Sequence, residues 1–261
     1  MNGQVVVVAP HSDDECLGAG GTIALLSRRG ILVTVVTVGS ELPPLFPPAT
    51  RDVVQQEARR CHELLGVAES VFLDIPSVGI SRVSTARLNH AIQAVIDRVR
   101  PRIVFVPFPD RHVDHRAVFD AAVVATRPYR SSRCVRVVAM YEVISETFWN
   151  VPGAEPTFTP AWTVDISETI ETKIEAFDAY RSRITAFPGP RSAEALRALA
   201  TFRGSQQSMP YGEAFALVRA SFSPLSVLRG PGTASASGCE RPIDPTPVAV
   251  RPYPREESEQ R

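Results

Sequence analysis

Three carboxylates and one imidazole stand together near the start of the chain, in the segment His11-Ser12-Asp13-Asp14-Glu15. The segment follows a run of valines that is typical of a short buried strand, and it opens an amphipathic stretch that predicts a helix to about Arg29. A strand end that leads into a helix is where open α/β sheets place their ligands. His11 and Asp14 could supply two ligands to a divalent metal, which leaves Asp13 free to act as a base. The alternative is that the acids only cap the helix N-terminus, where negative charge is favourable.

A second group of polar side chains lies in Asp110-Arg111-His112-Val113-Asp114-His115. It follows the apolar run 103–106 and precedes a helical pattern from about Arg116 to Thr126. If the strands are parallel, both segments come to the same edge of one sheet. A single histidine is more often a packed or surface group than a ligand. Two such segments at matching places in a strand–helix alternation therefore favour a shared site.

The two segments resemble the sequence motifs of one protein family. His11–Glu15 is similar to the His-Pro-Asp-Asp-Glu motif of the LmbE-like, or PIG-L-like, N-acetylglucosamine deacetylases, and His112–His115 is similar to the family's His-Pro-Asp-His motif. Ser12 and Val113 stand where the family often has proline. Neither proline bears a ligand or a proton, so the chemistry does not depend on them. The resemblance extends over about residues 4–220.

The resemblance implies a role for each polar residue of the two segments. Asp13 would be the general base and afterwards the acid toward the leaving amine, and His112 would donate to the oxyanion. Asp114 and Glu15 would orient imidazoles from outside the ligand set, with helix capping as the alternative for Glu15. A His-Asp-His set would hold a divalent metal, with Zn²⁺ as the expected ion and Fe²⁺ as the alternative. The implied metal ligands are His11, Asp14 and His115.

Two residues outside the motifs are candidates for contacting the substrate. The segment 41–50 holds four prolines and leaves a strand at the ligand edge, so Phe46 either lines the pocket or belongs to a plain surface connection. The family has an Arg-x-x-Glu pattern on the next predicted helix, where Glu57 fits the glutamate but Val54 occupies the arginine position. Arg51 lies one turn earlier, on nearly the same face. It is expected to bind a sugar hydroxyl or to be a solvated residue of the first turn.

Strands and helices alternate regularly up to about residue 140, which predicts an α/β fold with a Rossmann-like, mostly parallel sheet flanked by helices. A smaller C-terminal strand and helix region follows. There Thr147–Trp149 and Trp162–Ile166 are predicted as short strands of a second, small antiparallel layer, and Ser167–Arg181 as an amphipathic helix. We expect one domain over residues 1–229 and a disordered tail over residues 230–261, where Gly, Pro, Ser and charged residues dominate.

Composition argues against several classes of partner. The chain has 261 residues and a formal net charge of zero, so it has no electrostatic basis for binding nucleic acid or an anionic membrane. No apolar stretch is long enough to span a bilayer, and the N-terminus lacks a charged signal-peptide region, so a cytoplasmic location is expected. An oligomer is compatible with the sequence. The four cysteines, which predict buried or incidental thiols in a reducing compartment, are Cys16, Cys61, Cys134 and Cys239.

The leading functional hypothesis is a zinc-dependent deacetylase that acts on an N-acetylglucosaminyl group of a small glycoside, such as a mycothiol-type precursor or a glycosylated antibiotic intermediate. The nearest alternative is a mycothiol-conjugate-type amidase, which uses the same chemistry. A non-catalytic metal- or sugar-binding protein would need neither Asp13 nor His112. A nucleotide-binding Rossmann protein is disfavoured, because the small residues Gly18–Gly21 suit close helix packing and Ile23 stands where the G-x-G-x-x-G motif requires glycine.

Overall fold

The computed structural model describes residues 4–221, which form a seven-stranded sheet with helices on both faces. The strands are β1 (Gln4–Ala9), β2 (Leu32–Ser40), β3 (Glu69–Pro76), β4 (Ile103–Pro107), β5 (Val137–Tyr141), β6 (Trp162–Asp165) and β7 (Gly212–Ala220). Five of them are parallel, in the order β3-β2-β1-β4-β5, and β7 and β6 extend the sheet antiparallel beyond β5. The predicted Rossmann-like, mostly parallel α/β fold is confirmed.

The valines of β1 contribute to two hydrophobic cores, one on each face of the sheet. Val5 and Val7 face one core, and Val6 and Val8 face the other, so a strand buried on both sides reads as a continuous apolar run. The α-helices of the described chain are α1 (Asp14–Arg28), α2 (Thr50–Leu65), α3 (Thr85–Val99), α4 (Val113–Ala125), α5 (Ile170–Phe177) and α6 (Ala193–Ser205). The first core is completed by α1, α2, α5 and α6, and the second by α3 and α4.

The two polar segments lie side by side because β1 and β4 are neighbours in the sheet. Val5 pairs with Ile103 and Val7 with Phe105, in parallel register, so the two strands end at the same edge. The segment after β1 leads into α1, and the segment after β4 leads into α4. Parallel pairing thus produces the shared site that the sequence predicted.

Gly18 allows α1 to approach β5 closely. A Cβ at this position would overlap Cδ2 of the Tyr141 ring, so no larger side chain fits without a shift of the helix. The Tyr141 hydroxyl in turn donates a hydrogen bond to the carbonyl of Val8 at 2.9 Å. The glycine-rich stretch therefore serves helix packing beside the site, as the sequence suggested.

Two predictions for the C-terminal region are wrong. Thr147–Trp149 is a 3₁₀ helix and not a strand, because the N–H of Trp149 bonds to the carbonyl of Glu146, three residues earlier, at 3.0 Å. A second antiparallel layer is not found within residues 4–221. Instead β6 pairs with β7, and β7 covers the edge that β5 would otherwise expose.

Helix boundaries differ most from prediction after β6. The predicted helix Ser167–Arg181 is shorter and corresponds to α5. Helix α6 was not predicted; its buried positions are Leu196, Ala200 and Gly204. Two of these three are small, so the helix carries only a weak apolar stripe.

The predicted tail over residues 230–261 and Cys239 lie outside the described residues, and the domain boundary at residue 229 stays a prediction. Cys16 and Cys61 are free and buried, and Cys134 is buried, as expected. Among the described helices, none combines the length and apolar composition that crossing a bilayer would require.

Candidate metal centre and active site

The carboxylate of Asp14 is the meeting point of two imidazoles. Its Oδ2 lies 3.3 Å from Nδ1 of His11 and 3.3 Å from Nε2 of His115. Asp14 and His115 are buried, whereas His11 keeps 14% of its side-chain surface exposed, so the group opens to solvent on the His11 side. The structure thus brings together the three residues predicted as metal ligands.

The other nitrogen of each imidazole contacts a further carboxylate, a different one for each ring. Asp114 Oδ2 lies 3.0 Å from Nε2 of His11, and Asp110 Oδ2 lies 3.0 Å from Nδ1 of His115. These contacts turn the remaining nitrogen of each ring toward Asp14, which is how proteins orient metal-ligating histidines. Within residues 4–221, Nε2 of His115 is buried and has no hydrogen-bond partner. Two nitrogens and a carboxylate arranged in this way fit a divalent metal ion.

Without a metal ion, the same contacts favour protonated imidazoles. Burial lowers the pKa of His11, but hydrogen bonds to Asp114 and Asp14 outweigh it and raise the pKa to about 9. Burial also lowers the pKa of His115, while the charge of Asp14 and the hydrogen bond to Asp110 raise it to about 10. Burial raises the pKa of Asp14, but the positive charges of His115 and His11 beside it hold the pKa well below its usual range. The site therefore attracts positive charge, and a metal would compete with protons for it.

Asp110 was not predicted as part of the site. Besides holding His115, its Oδ2 accepts the Thr147 hydroxyl at 3.1 Å, and its Oδ1 accepts the backbone N–H of His112 at 3.0 Å. The 3₁₀ helix that begins at Thr147 therefore helps to fix this carboxylate. The available sequence signal was a second acid in the second polar segment, just after the end of a strand.

Asp114, predicted to orient an imidazole, also anchors the loop after β3. Its Oδ2 accepts the N–H of Val78 at 2.6 Å, and its Oδ1 accepts the N–H of Ile80 at 3.2 Å. Val78 has a φ angle of 62°, an unfavourable conformation for a β-branched residue. Burial raises the pKa of Asp114, but the hydrogen bond and charge of His11 and the N–H of Val78 bring it below its usual value. The loop and the carboxylate thus hold each other in place.

His112 occupies the N-cap of α4, where its Nδ1 accepts the backbone N–H of Asp114 at 3.2 Å. The ring proton is therefore on Nε2, which is available as a donor. Burial, together with the positive charges of His11 and His115, lowers the pKa of His112 to about 4, so the ring is neutral at pH 7. One nitrogen of each of these three rings lies within 4.8 Å of the others, which places His112 beside the predicted ligand set.

Asp13 is buried in a strained conformation, with a φ angle of 114°. Its N–H donates to Oε2 of Glu15 at 3.2 Å, and its Oδ2 lies 3.2 Å from Nε of Arg191. Burial raises the pKa of Asp13 to about 7; the charge of Asp14 adds to this, and Arg191 opposes it. A carboxylate with a pKa near neutrality suits a group that takes up and returns a proton.

The side chain of Glu15 is fully buried and contacts the backbone of Asp13. Its Oε1 accepts the Tyr180 hydroxyl and lies 3.4 Å from Nε2 of His62. The nearby Nδ1 of His62 lies 2.7 Å from the hydroxyl of Ser70. The structure therefore places Glu15 beside the backbone of Asp13 and not beside a predicted ligand imidazole.

Within the described part of the chain, no hydrogen bond or ion pair joins Arg51 or Phe46 to this cluster. Arg51 Nε lies 3.6 Å from Oδ1 of Asp74, which also accepts the hydroxyl of Ser40 at 2.8 Å. Phe46 is partly buried and follows Leu45, which is 61% exposed. Both predicted substrate contacts follow β2 on the site's edge of the sheet, and their role stays a prediction.

Sequence reasoning missed two arginines that carry positive charge close to Asp13. Arg183 and Arg191 lie between α5 and α6, where no motif marks them in a chain rich in arginine. Arg183 is ion-paired with Glu41, and its charge also acts on Asp13. Only the packing of this loop on the sheet edge brings them to the site.

The fold and the paired imidazoles define an α/β protein with a metal site of the His/His/Asp type. Residues 6–126 match the family model described as PIG-L, GlcNAc-PI de-N-acetylase. The chain is 27% identical to the diacetylchitobiose deacetylase of Thermococcus kodakarensis, over 82% of this chain and 83% of the relative. It is 29% identical to the 1D-myo-inositol 2-acetamido-2-deoxy-alpha-D-glucopyranoside deacetylase of Saccharomonospora viridis, over 82% of this chain and 95% of the relative.

A solved structure has a fold similar to that of this chain. The crystal structure of a conserved protein from Thermus thermophilus superposes with a TM-score of 0.66 and 29% identity, covering 88% of this chain and 99% of the other. The resemblance to the LmbE-like, PIG-L-like deacetylases, a class of hydrolases, is therefore confirmed.

Proposed function

We propose that this protein is a metal-dependent hydrolase that removes an N-acyl group, in the first place acetyl, from a glucosaminyl group of a small glycoside. The observation that carries the proposal is the convergence of His11 and His115 on Oδ2 of Asp14, with each ring held by a further carboxylate. The substrate class comes from the relatives, which are named as deacetylases of diacetylchitobiose and of a 2-acetamido-2-deoxy-glucopyranoside.

In this proposal His11, Asp14 and His115 bind Zn²⁺, with Fe²⁺ as the alternative ion for a nitrogen and carboxylate set. When bound, such an ion would supply Lewis acidity, the chemistry that acidifies water and polarises a carbonyl. Asp110 and Asp114 keep the two rings in place and so set the affinity for the metal.

Proton transfer falls to Asp13, which lies next to the ligand set. Its carboxylate takes a proton from the attacking water and then delivers it to the nitrogen of the leaving amine. A pKa of about 7 makes both steps accessible near neutral pH. Glu15 and Arg191 hold the backbone and the carboxylate of this residue.

Charge that develops on the carbonyl oxygen is stabilised by Nε2–H of His112. The donor is fixed in the required tautomer because Nδ1 accepts the N–H of Asp114. The lowered pKa keeps the ring neutral, so it acts as a donor and not as a second base. Loss of one such donor typically raises the barrier by about 2.7–4 kcal/mol.

The acceptor is proposed to lie along the edge that Arg51 and Phe46 share with the site. Arg51 would contact a sugar hydroxyl.

A mycothiol-conjugate-type amidase would use the same proposed metal ligands, base and oxyanion donor, and would differ only in the molecule released. The free thiols Cys16 and Cys61 support a reducing, cytoplasmic setting for either activity.

The test is acetate release from a panel of N-acetylglucosaminides, measured by mass spectrometry with protein loaded with one equivalent of zinc. We expect hydrolysis that chelation abolishes and that added zinc restores. His11→Ala should lose the metal. Asp13→Asn is the matched variant, because it should keep the metal while turnover falls by roughly 10²–10⁴-fold.

Two outcomes would change the conclusion. Cleavage confined to thioether conjugates of a glucosaminyl amide would favour the amidase. Tight binding of the intact glycosides with no hydrolysis of any of them would overturn the proposal in favour of a binding protein.

A further inference from the structure

The segment 183–191, called the strap here, runs along the sheet edge at which the site lies. At one end Arg183 is ion-paired with Glu41, which follows β2. At the other end Nη2 of Arg191 lies 3.8 Å from Oε1 of Glu146, which follows β5. In the sheet, β1 and β4 lie between β2 and β5. The strap therefore spans the two strands that carry the polar motif segments.

Within this arrangement Arg191 contacts the proposed general base. Its Nε lies 3.2 Å from Oδ2 of Asp13. The side chain of Asp13 is buried, and within residues 4–221 this oxygen has no hydrogen-bond partner. The ion pair with Arg191 is thus the contact that restrains Oδ2 of Asp13.

The backbone that presents Arg191 is fixed on both sides. Its carbonyl accepts the N–H of Thr185 at 2.9 Å. The next residue, Ser192, is buried and caps α6 by accepting the N–H of Ala195 at 3.2 Å. A planar guanidinium on an anchored backbone can hold a carboxylate in one orientation.

Asp13 needs such a restraint because its neighbour is also a buried acid. Both side chains are carboxylates, a type of group that binds divalent metals, yet the proposed reaction requires one ligand and one free base. We propose that Arg191 is a positioning residue: by pairing with Oδ2 of Asp13, it keeps that carboxylate out of the metal's ligand set and available to water. This inference rests on the proposed function and explains how the chain separates the roles of its two acids.

Cobalt(II) in place of zinc gives a readout that needs no substrate, because its visible absorption weakens when its coordination number rises. We expect Arg191→Gln to weaken the absorption as Asp13 joins the ion. The double variant Asp13→Asn/Arg191→Gln should return it to the wild-type level. Arg191→Lys, which keeps the charge, should stay closer to wild type. The exposed Arg181, just before the strap, supplies the matched control Arg181→Gln, which should leave the spectrum unchanged.

Turnover of the zinc-loaded enzyme is the second readout. Arg191→Gln should lower kcat by roughly 10- to 100-fold at full metal occupancy, because the base is misplaced. KM should stay within about twofold, since the substrate contacts remain. Glu146→Gln removes the other partner of Arg191 without touching Asp13 and should keep the wild-type kcat.

An unchanged spectrum and an unchanged kcat in Arg191→Gln would overturn the inference. Equal losses in Glu146→Gln and Arg191→Gln would also overturn it, because they would show that anchoring of the strap alone matters. An inactive wild-type protein that still shows the expected cobalt spectra would contradict the proposed function and support the separation of the two acids.

Discussion

Glu15 accepts the backbone N–H of Asp13 at 3.2 Å, and Asp13 is held at a φ angle of 114°. A residue in such a sparsely populated conformation typically costs about 1–3 kcal/mol and persists only where the surroundings enforce it. Glu15 is itself fixed by the Tyr180 hydroxyl and by His62. The strained turn that presents the proposed base therefore depends on a buried acid two residues further along.

Glu15→Ala should lower the free energy of unfolding by about 2–3 kcal/mol, because the donors of Asp13 and Tyr180 lose a buried charged acceptor. Glu15→Gln keeps one acceptor oxygen and should lose less. Urea denaturation of the zinc-loaded proteins measures both changes. A Glu15→Ala protein as stable as wild type would show that the turn does not depend on this side chain.

Asp110→Asn should weaken zinc binding by roughly 10- to 100-fold, because the neutral amide no longer holds Nδ1 of His115 as a charged acceptor. Competition with a chromogenic chelator measures the affinity. Asp120→Asn, an exposed acid on α4, is the control and should bind zinc as wild type does. Equal affinities in both variants would remove Asp110 from the support of the metal site.

The metal-free protein should lose stability as the pH rises from 7 to 10. The folded-state pKa values of His11 and His115, about 9 and about 10, exceed the ordinary value of 6.5. The folded state then keeps protons that the unfolded chain has released, so this stabilisation is complete below about pH 6.5 and is lost through pH 9 to 10.

Zinc should reverse this dependence, because binding requires neutral imidazoles and therefore strengthens as protons leave. Unfolding curves at several pH values, with chelator or with one equivalent of zinc, measure both trends. A metal-free protein whose stability rises over this range would contradict the raised pKa values.

Phe46→Ala should raise KM for a glycoside with a large apolar aglycone far more than for a minimal N-acetyl sugar. The side chain lies in a proline-rich segment that leaves the sheet at the site's edge, and restricted loops hold side chains at low entropic cost. Val53→Ala, exposed on α2, is the matched control. Equal losses on both substrates would point to damage at the metal centre, and no loss would leave the segment as a plain connection.

Local sequence patterns were enough to predict the parallel sheet and to predict that the two motif segments lie close together. The valines of β1 predict a strand buried on both faces, and parallel pairing with β4 then forces the two strand ends together. By contrast, the composition of Thr147–Trp149 favours a strand, but the hydrogen bond from the N–H of Trp149 to the carbonyl of Glu146 makes it a 3₁₀ helix. Short segments of this kind follow their tertiary contacts.

The sequence by itself determined which side chains converge, because His11, Asp14 and His115 sit at the ends of neighbouring strands whose pairing follows from their hydrophobic pattern. Only the tertiary structure decided what holds the proposed base. Arg191 and Tyr180 come from the region after α5, where no local pattern specifies a position. The proposed ligands, which follow strand ends, are placed by backbone pairing, whereas these supporting side chains reach the site only through the packing of distant loops on the sheet edge.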